Sequence, residues 1–274
     1  MITHNILIVI VLYEESLFSC TTYKTLIDAC KCRDVYIYDN SPQSCHTYDD
    51  FPSSWKYISD TTNPGLSYAY NRAAEYAKKN GYEWMLLTDQ DTIFSYNIIE
   101  KYINAINNNQ DIMLFAPQFK TTKDKWFSPV RLFHNINLHT NMILPGRYAL
   151  KNYSPINSGM VINVDAYMQV GGYNESVFLD YSDFQFIEKF KQKYPHFFLL
   201  DAVCEQNFSN EIQSKRQKYN RFHLFCRSLR NFQCDSMFDK LGIHFIVIKR
   251  CISLSLQYLS VTPISIMVKN YLKK

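Results

Sequence analysis

The chain has 274 residues, of which 47% are apolar and 16% aromatic, with a formal net charge of +4. That is enough apolar material for a real core, which excludes a disordered chain, and the length allows one large domain or a domain with an appendage. Eight scattered cysteines without a CxxC pair exclude a common zinc knuckle, and with no secretory leader they point to reduced thiols in the cytoplasm.

"ILIVIVLY" (6–13) is a continuous apolar run, as in a strand covered on both faces. Ser16 can cap a helix that carries Leu17, Cys20, Ile27 and Cys30 at near-helical spacing. "VYIYDN" (35–40) predicts a second strand ending in Asp39 and Asn40, and "WKYIS" (55–59) a third. "NPGLSYAYNRAAEYAKKNG" (63–81) gives a turn and then a helix with Leu66, Ala69, Tyr70, Ala73 and Ala77 on one face, stopped at Asn80 or Gly81.

"MLLTDQDTIF" (85–94) predicts a buried strand whose exit carries Asp89 and Asp91. If the chain stays extended there, both carboxylates point to one side. Two like charges held together call for a counter-charge, and a divalent cation with oxygen ligands is the usual one. A helix follows with Ile99, Tyr102, Ile103 and Ile106 in register, then a fifth strand in "IMLFAPQF" (112–119). Residues 120–155 are less regular and suit strands and a loop over a site. Residues 156–190 read as a strand, a short helix, a Gly171–Gly172 turn, a loop, and a helix starting near Asp180 to Asp183.

Strands alternating with helices at this spacing predict an α/β fold with a parallel sheet, whose ligands sit beyond the carboxyl ends of the strands. Tyr13, Asp39, Asn40, Asp89 and Asp91 fall at those ends. Asp39-Asn40 can read a nucleobase edge or form an Asx-turn. Asn63, Gly65 and Asn71 surround a helix start, which can hold a diphosphate on its amides or be a plain helix start. Asp180 and Asp183 can complement a helix dipole or take a proton from an attacking hydroxyl. An Asp-x-Asp after an apolar strand also marks phosphatases of the haloacid dehalogenase type. There it follows the first strand, with Thr or Val two places on; here it follows the fourth strand and Ile93 holds that place.

The ordered set "VLYEE", "YDNSP", "NPGLSYAYNRAAEYA", "LLTDQDT", "NSGMVI" and "VGGYNESVFLDYSDFQF" resembles glycosyltransferase family 2, across about residues 5–190. The DQD and FLDYSD forms resemble its rhamnosyltransferase-like branch. The resemblance implies the GT-A fold, a Rossmann-like, mostly parallel sheet flanked by helices, and inverting transfer of a sugar, rhamnose in that branch, from a nucleotide-diphosphate donor such as dTDP-rhamnose to a glycan acceptor of a cell-surface polysaccharide. It implies that Tyr13, Asp39 and Asn40 contact the base, and that Asn63, Gly65 and Asn71 line the ribose and diphosphate. Asp89 would hold ribose or sugar hydroxyls, and Asp91 would ligate Mg²⁺ or Mn²⁺. Ser158 and Gly159 would border donor sugar and acceptor. Asp180 or Asp183 would be the base, with Asp180 slightly favoured. Two departures stand out: relatives often carry a His where Gln206 and Asn207 stand, and Tyr181 replaces the acid of the usual Glu-Asp pair.

The charge divides the chain into a catalytic domain, 1–210, and a helical segment, 211–274. The segment holds 12 Lys or Arg against three acids, a net of +9, while the other 210 residues carry −5. Within "RFHLFCRSLRNF" (221–232), Phe222, Phe225, Leu229 and Phe232 share a helical face flanked by arginines. Residues 251–268 carry no charge but are too polar and broken to span a bilayer. The segment reads as a basic amphipathic element on an anionic membrane, which places the protein at the inner face of the cell membrane with a lipid-linked glycan as acceptor. A net-acidic body argues against nucleic acid. The rival reading from another class is a non-catalytic nucleotide-sugar-binding or membrane scaffold protein.

Overall fold

The computed structural model describes residues 5–32, 34–134, 136–138, 140–206, 214–234 and 236–273. The expected departure at Asn207 and the first residues of the basic segment lie outside these. The strands are β1 Ile6–Leu12, β2 Val35–Asp39, β3 Lys56–Ser59, β4 Trp84–Asp89, β5 Thr92–Ile93, β6 Leu114–Lys120, β7 Trp126–Ser128, β8 Val130–Phe133, β9 Ile136–Asn137, β10 Gly146–Ala149, β11 Tyr153–Ser154, β12 Val161–Asn163 and β13 His196–Gln206. The helices are α1 Leu66–Lys79, α2 Ile98–Asn108, α3 Val164–Gln169, α4 Ser182–Phe190, α5 Lys215–Arg230, α6 Met237–Tyr258 and α7 Thr262–Met267.

The main sheet runs β10-β13-β6-β12-β4-β1-β2-β3. β1 pairs in parallel with both β2 and β4, and β13 with β6. β12 lies antiparallel between β4 and β6, and β10 antiparallel to β13. Of these eight strands six run parallel and two are reversed, and the short β5 and β7 add antiparallel to β13 and β6.

Alternation along β1 and β4 explains the continuous apolar runs. Leu7, Val9, Met85 and Leu87 face one core, built with Ala69, Tyr70, Ala73 and Ala77 of α1 and with Phe186 and Phe190 of α4. Ile8, Ile10, Leu12, Trp84 and Leu86 face the other, built with Leu26, Ile27 and with Ile98, Tyr102 and Ile106 of α2.

Three elements depart from the sequence reading. Ser16 caps no helix: its hydroxyl lies 3.1 Å from His46 Nε2, and the helical segment begins later, at Tyr23–Asp28. The long strand β13 was not foreseen. The apolar face of α5 is not free for a membrane, because Phe222, Phe225 and Leu229 are buried against Ile243, Val247, Cys251 and Leu254 of α6.

The helical segment also grips the body. Tyr181 packs edge-on to Phe225 and Phe232, and Asn231 Nδ2 donates to Ser176 O at 3.1 Å. Gly242 passes so close to the strand β8–β9 turn that an added Cβ would lie 1.9 Å from His134 O. Among the described residues no helix is long and apolar enough to cross a membrane. None of the eight cysteines, all of them among the described residues, is joined in a disulfide.

Candidate active site

A cavity of about 700 Å³ opens at the carboxyl ends of β1 and β4, a size that suits a small organic ligand. Its walls include Tyr13, Asn40, Asn63, Gly65 and Asp89 from the first half of the chain. Asn157, Asp180, Asp183 and Gln206 follow, and Arg221 and Leu224 of α5 complete the wall.

The strand ends are clamped. Gln90 Oε1 accepts from Tyr13 N at 2.8 Å while Gln90 Nε2 donates to Tyr13 O at 3.3 Å, which ties the exit of β1 to the turn after β4. Ser158 Oγ accepts from Asp89 N at 3.1 Å and lies 2.7 Å from Thr92 Oγ1. Ser158 thus fixes the backbone of the aspartate turn. Gly159 is buried behind it, where its φ of +80° and the nearby Pro117 and Phe119 leave no room for a side chain.

Asp39 is satisfied locally: its carboxylate accepts from Ser41 N (2.9 Å), Ser44 Oγ (2.6 Å) and Tyr57 OH (3.0 Å). It shapes the loop and does not line the cavity. Asn40 does, and its buried Oδ1 has no partner among the described residues. A buried acceptor left open costs free energy, which marks Asn40 as a strained point of the cavity wall. Asn71 is likewise outside the cavity. Its amide accepts from Tyr167 OH (2.6 Å) and Tyr173 N (2.9 Å) and donates to Glu175 Oε1 (2.8 Å), which pins α1 to the loop before α4.

Asp89 and Asp91 come together, but not as an extended strand would place them: β4 ends at Asp89, Gln90 and Asp91 form a turn, and Gln206 joins the two carboxylates. β13 pairs with β5 so that Gln206 lies opposite Thr92. Its Nε2 then donates to Asp91 Oδ1 at 2.7 Å and Asp89 Oδ2 at 3.1 Å. Burial, and then the Asp91 charge, push the Asp89 carboxyl up to about 6. Burial also raises Asp91. An all-oxygen pair that is reluctant to ionise alone suits a hard cation, and turning the Gln206 amide would offer a third oxygen. Among the described residues no cluster of three His, Cys, Asp or Glu gathers, so a cation here would take its other ligands from substrate and water.

Asp180 and Asp183 have different surroundings. Asp180 is held in a fork by Arg221, with Nη2 at 2.6 Å and Nε at 3.1 Å, and Arg250 Nη1 stands 3.9 Å away. Asp183 has no such cation among the described residues. It accepts from Phe184 N at 2.9 Å, and burial, helped by the charges of Asp89 and Asp180, pushes it up to about 7. Its side chain touches the cavity, yet protein surrounds it on most sides, which is why water relieves little of that shift.

The glycosyl transferase family 2 model matches residues 8–171. The chain belongs to glycosyl transferase family 2.

The dTDP-rhamnosyl transferase RfbF of Shigella flexneri is 24% identical over 122 residues, which are 44% of this chain and 41% of RfbF. The match thus spans less than half of that relative. Among solved structures, GalNAc-T7 with UDP, GalNAc and Mn²⁺ superposes with a TM-score of 0.58 at 10% identity, over 93% of this chain and 58% of GalNAc-T7. S. aureus TarS 1-349 superposes with a TM-score of 0.55 at 14% identity, over 93% and 73%. These likenesses establish the GT-A fold expected from the sequence.

The family signature stretches around Asp39, Gly65 and Asp89 all sit within this matched span, whereas Gln206, Arg221 and Arg250 lie beyond it. Sequence reasoning recorded Gln206 only as a missing His and Arg221 only as part of a basic run. Asn157 was seen within "NSGMVI" but was not singled out. It donates to Ser182 Oγ (3.0 Å) and accepts from Tyr173 OH (2.6 Å), forming the floor between β12 and α4.

Proposed function

We propose that this protein is an inverting, metal-dependent glycosyltransferase that moves a sugar from a nucleoside-diphosphate donor to a hydroxyl of a lipid-linked glycan. The observation that carries this reading is Asp183: a cavity carboxyl without a cationic partner, poised near neutrality, opposite the Asp89–Gln206–Asp91 group. A carboxyl in a cleft that is held in that state is what a general base needs, and this favours an enzyme over a protein that only binds its ligand.

In this reading Asn40 receives the base through its open Oδ1, with Tyr13 beside it. Asn63, Gly65 and the start of α1 face the ribose and diphosphate, and Asp89 the hydroxyls of ribose or sugar. Asp91, with Asp89 and Gln206, would hold Mg²⁺ or Mn²⁺, which when bound neutralises charge on the departing diphosphate. Asp183 takes the proton from the acceptor hydroxyl. The acceptor oxygen then forms its bond to the anomeric carbon on the face opposite the phosphate. The carbon–oxygen bond to phosphate breaks, and its electron pair leaves on the nucleoside diphosphate. Asp180 serves as the anchor of Arg221 at the cavity wall. Residues 1–210 are proposed as the catalytic domain, with 211–274 completing its wall.

The likeness to RfbF supports rhamnose carried on dTDP as the donor, and cell-surface polysaccharide as the product. The basic segment supports an anionic membrane at the cytoplasmic face as the place of action. Incubation with a panel of nucleotide-sugars should give nucleoside-diphosphate release that needs Mn²⁺ or Mg²⁺ and is greatest with dTDP-rhamnose. No release with any donor, by protein that binds nucleotide, would return the reading to a binding protein. Calorimetry of Asp91→Ala should show nucleoside-diphosphate binding that no longer strengthens with Mn²⁺. A metal response equal to that of the wild type would remove Asp91 from the site.

A further inference from the structure

Helix α6 has two apolar faces, and only one is used inside the protein. Ile243, Val247, Cys251 and Leu254 are buried against α5. Phe238, Leu241, Phe245, Ile248, Ile252 and Leu256 recur at three- and four-residue steps on the opposite side, and all are exposed. Phe238 is 68% exposed, Phe245 52% and Leu256 68%. Over a helix of 22 residues the stripe runs about 30 Å. It continues past the helix through Leu259, which is 91% exposed. At the other end it joins the β8–β9 hairpin, where His134 packs 4.6 Å from the Phe133 ring and 5.6 Å from the Phe238 ring. Phe133 is itself 61% exposed. Contiguous exposure on this scale marks an interaction surface.

The charge around the stripe selects the partner. Lys240 and Lys249 are exposed on α6, and the helix's one acid, Asp239, is tied to Ser236 Oγ (2.6 Å) and His134 Nδ1 (3.1 Å). The segment that carries the stripe has a net charge of +9. Two copies facing each other would oppose these charges, whereas an anionic lipid surface would gather them. We propose that the outer face of α6, extended by the β8–β9 hairpin, lies in the interface of an anionic bilayer. This deepens the membrane reading above and rests on it, but moves the contact from the face of α5 to that of α6. Arg250 leaves the same helix on another side and comes within 3.9 Å of Asp180. The docked helix is therefore also part of the active-site surround, so the cavity sits about one helix diameter from the lipid.

The test is sedimentation of the full chain at low salt with vesicles of equal parts phosphatidylglycerol and phosphatidylcholine, and with phosphatidylcholine alone. The wild type should bind the anionic vesicles, and added salt should weaken that binding. A chain carrying Phe245→Glu, Ile248→Glu and Ile252→Glu should bind roughly a hundredfold less or weaker still. The same three positions changed to Ser give a milder version in case the acidic one misfolds. Unchanged nucleoside-diphosphate affinity in these variants separates lost docking from a damaged catalytic site. Indifference of the wild type to anionic vesicles would overturn the proposal, as would full binding by the folded variants. Equal binding to phosphatidylcholine would overturn the anionic partner. A wild-type dimer in solution that the three substitutions dissociate would assign the face to a second copy instead.

Discussion

Asp183→Asn should lower transfer by roughly a hundredfold or more while leaving nucleoside-diphosphate binding in place. The amide keeps the shape, and its oxygen can still accept from Phe184 N, but it cannot take a proton. Asp180→Asn should behave differently. It breaks a half-buried fork with Arg221 and should cost stability, about 1 kcal/mol after allowance for solvent, with transfer kept within about tenfold. Steady-state kinetics on the two variants decides between them: an inactive, folded Asp180→Asn beside an active Asp183→Asn would move the base to Asp180. The pH profile gives a second readout. With Asp183 held near 7, kcat/KM of the wild type should fall as the pH drops below about 7, and any residual activity of Asp183→Asn should lack that limb.

The same shifts have a sign for stability. Asp89 and Asp183 bind protons more tightly folded than unfolded. Their contribution is fully present below their unfolded values and is lost as the pH rises through about 6 and 7. Ligand-free protein carrying Asp183→Asn should therefore lose less stability than the wild type between pH 5 and pH 8, as thermal melts over that range would show.

Gly65→Ala should be among the most damaging single substitutions in the chain. The residue precedes α1 with φ +99°, and a Cβ there would lie 2.6 Å from Phe178 Cδ2 and 2.7 Å from Phe178 O. Phe178 O also accepts from Leu66 N at 3.1 Å, so the two backbones cannot part without loosening the start of the helix. With ψ at 174°, the backbone at Gly65 is one that only glycine adopts readily; it costs about 1–3 kcal/mol and the overpacking about 1–3 kcal/mol more. Together these correspond to a fall in Tm of about 5–15 °C. Gly81→Ala supplies the control, since φ there is +75° but nothing lies within 4 Å. Equal losses in the two variants would mean that the Phe178 contact carries no energy.

The parts of this protein that were legible in its sequence are those fixed by local period. The runs of β1 and β4 are apolar throughout because alternate residues feed separate cores. Asp89 and Asp91 do meet, but across a turn at Gln90–Asp91 and through the Gln206 amide, not by the two-residue strand repeat. Gln206 was not legible, because its place depends on the pairing of β13 with β5 across more than a hundred residues. Arg221 looked like part of a solvated basic run, since a list of charges does not say which one turns inward. Asn71 looked like a ligand of the helix start, but it sits more than a turn into α1 and serves the 173–175 loop. Amphipathicity in α5 correctly announced a face to be covered. It could not say that the cover would be another helix of the same segment.

The ion pair between Asp180 and Arg221 has a consequence for the timing of biosynthesis. A chain leaves the ribosome at about 5–20 residues per second. The cavity-facing ends of β1 and β4, the aspartate turn and Asp183 all emerge before the helix that carries Arg221, and Arg250 emerges later still. During those seconds a nascent chain can assemble both sheet cores while its cavity lacks one wall, and Asp180 stands beside Asp183 without its counter-charge. The cavity wall that Arg221 and Leu224 supply is thus added after the sheet that it closes.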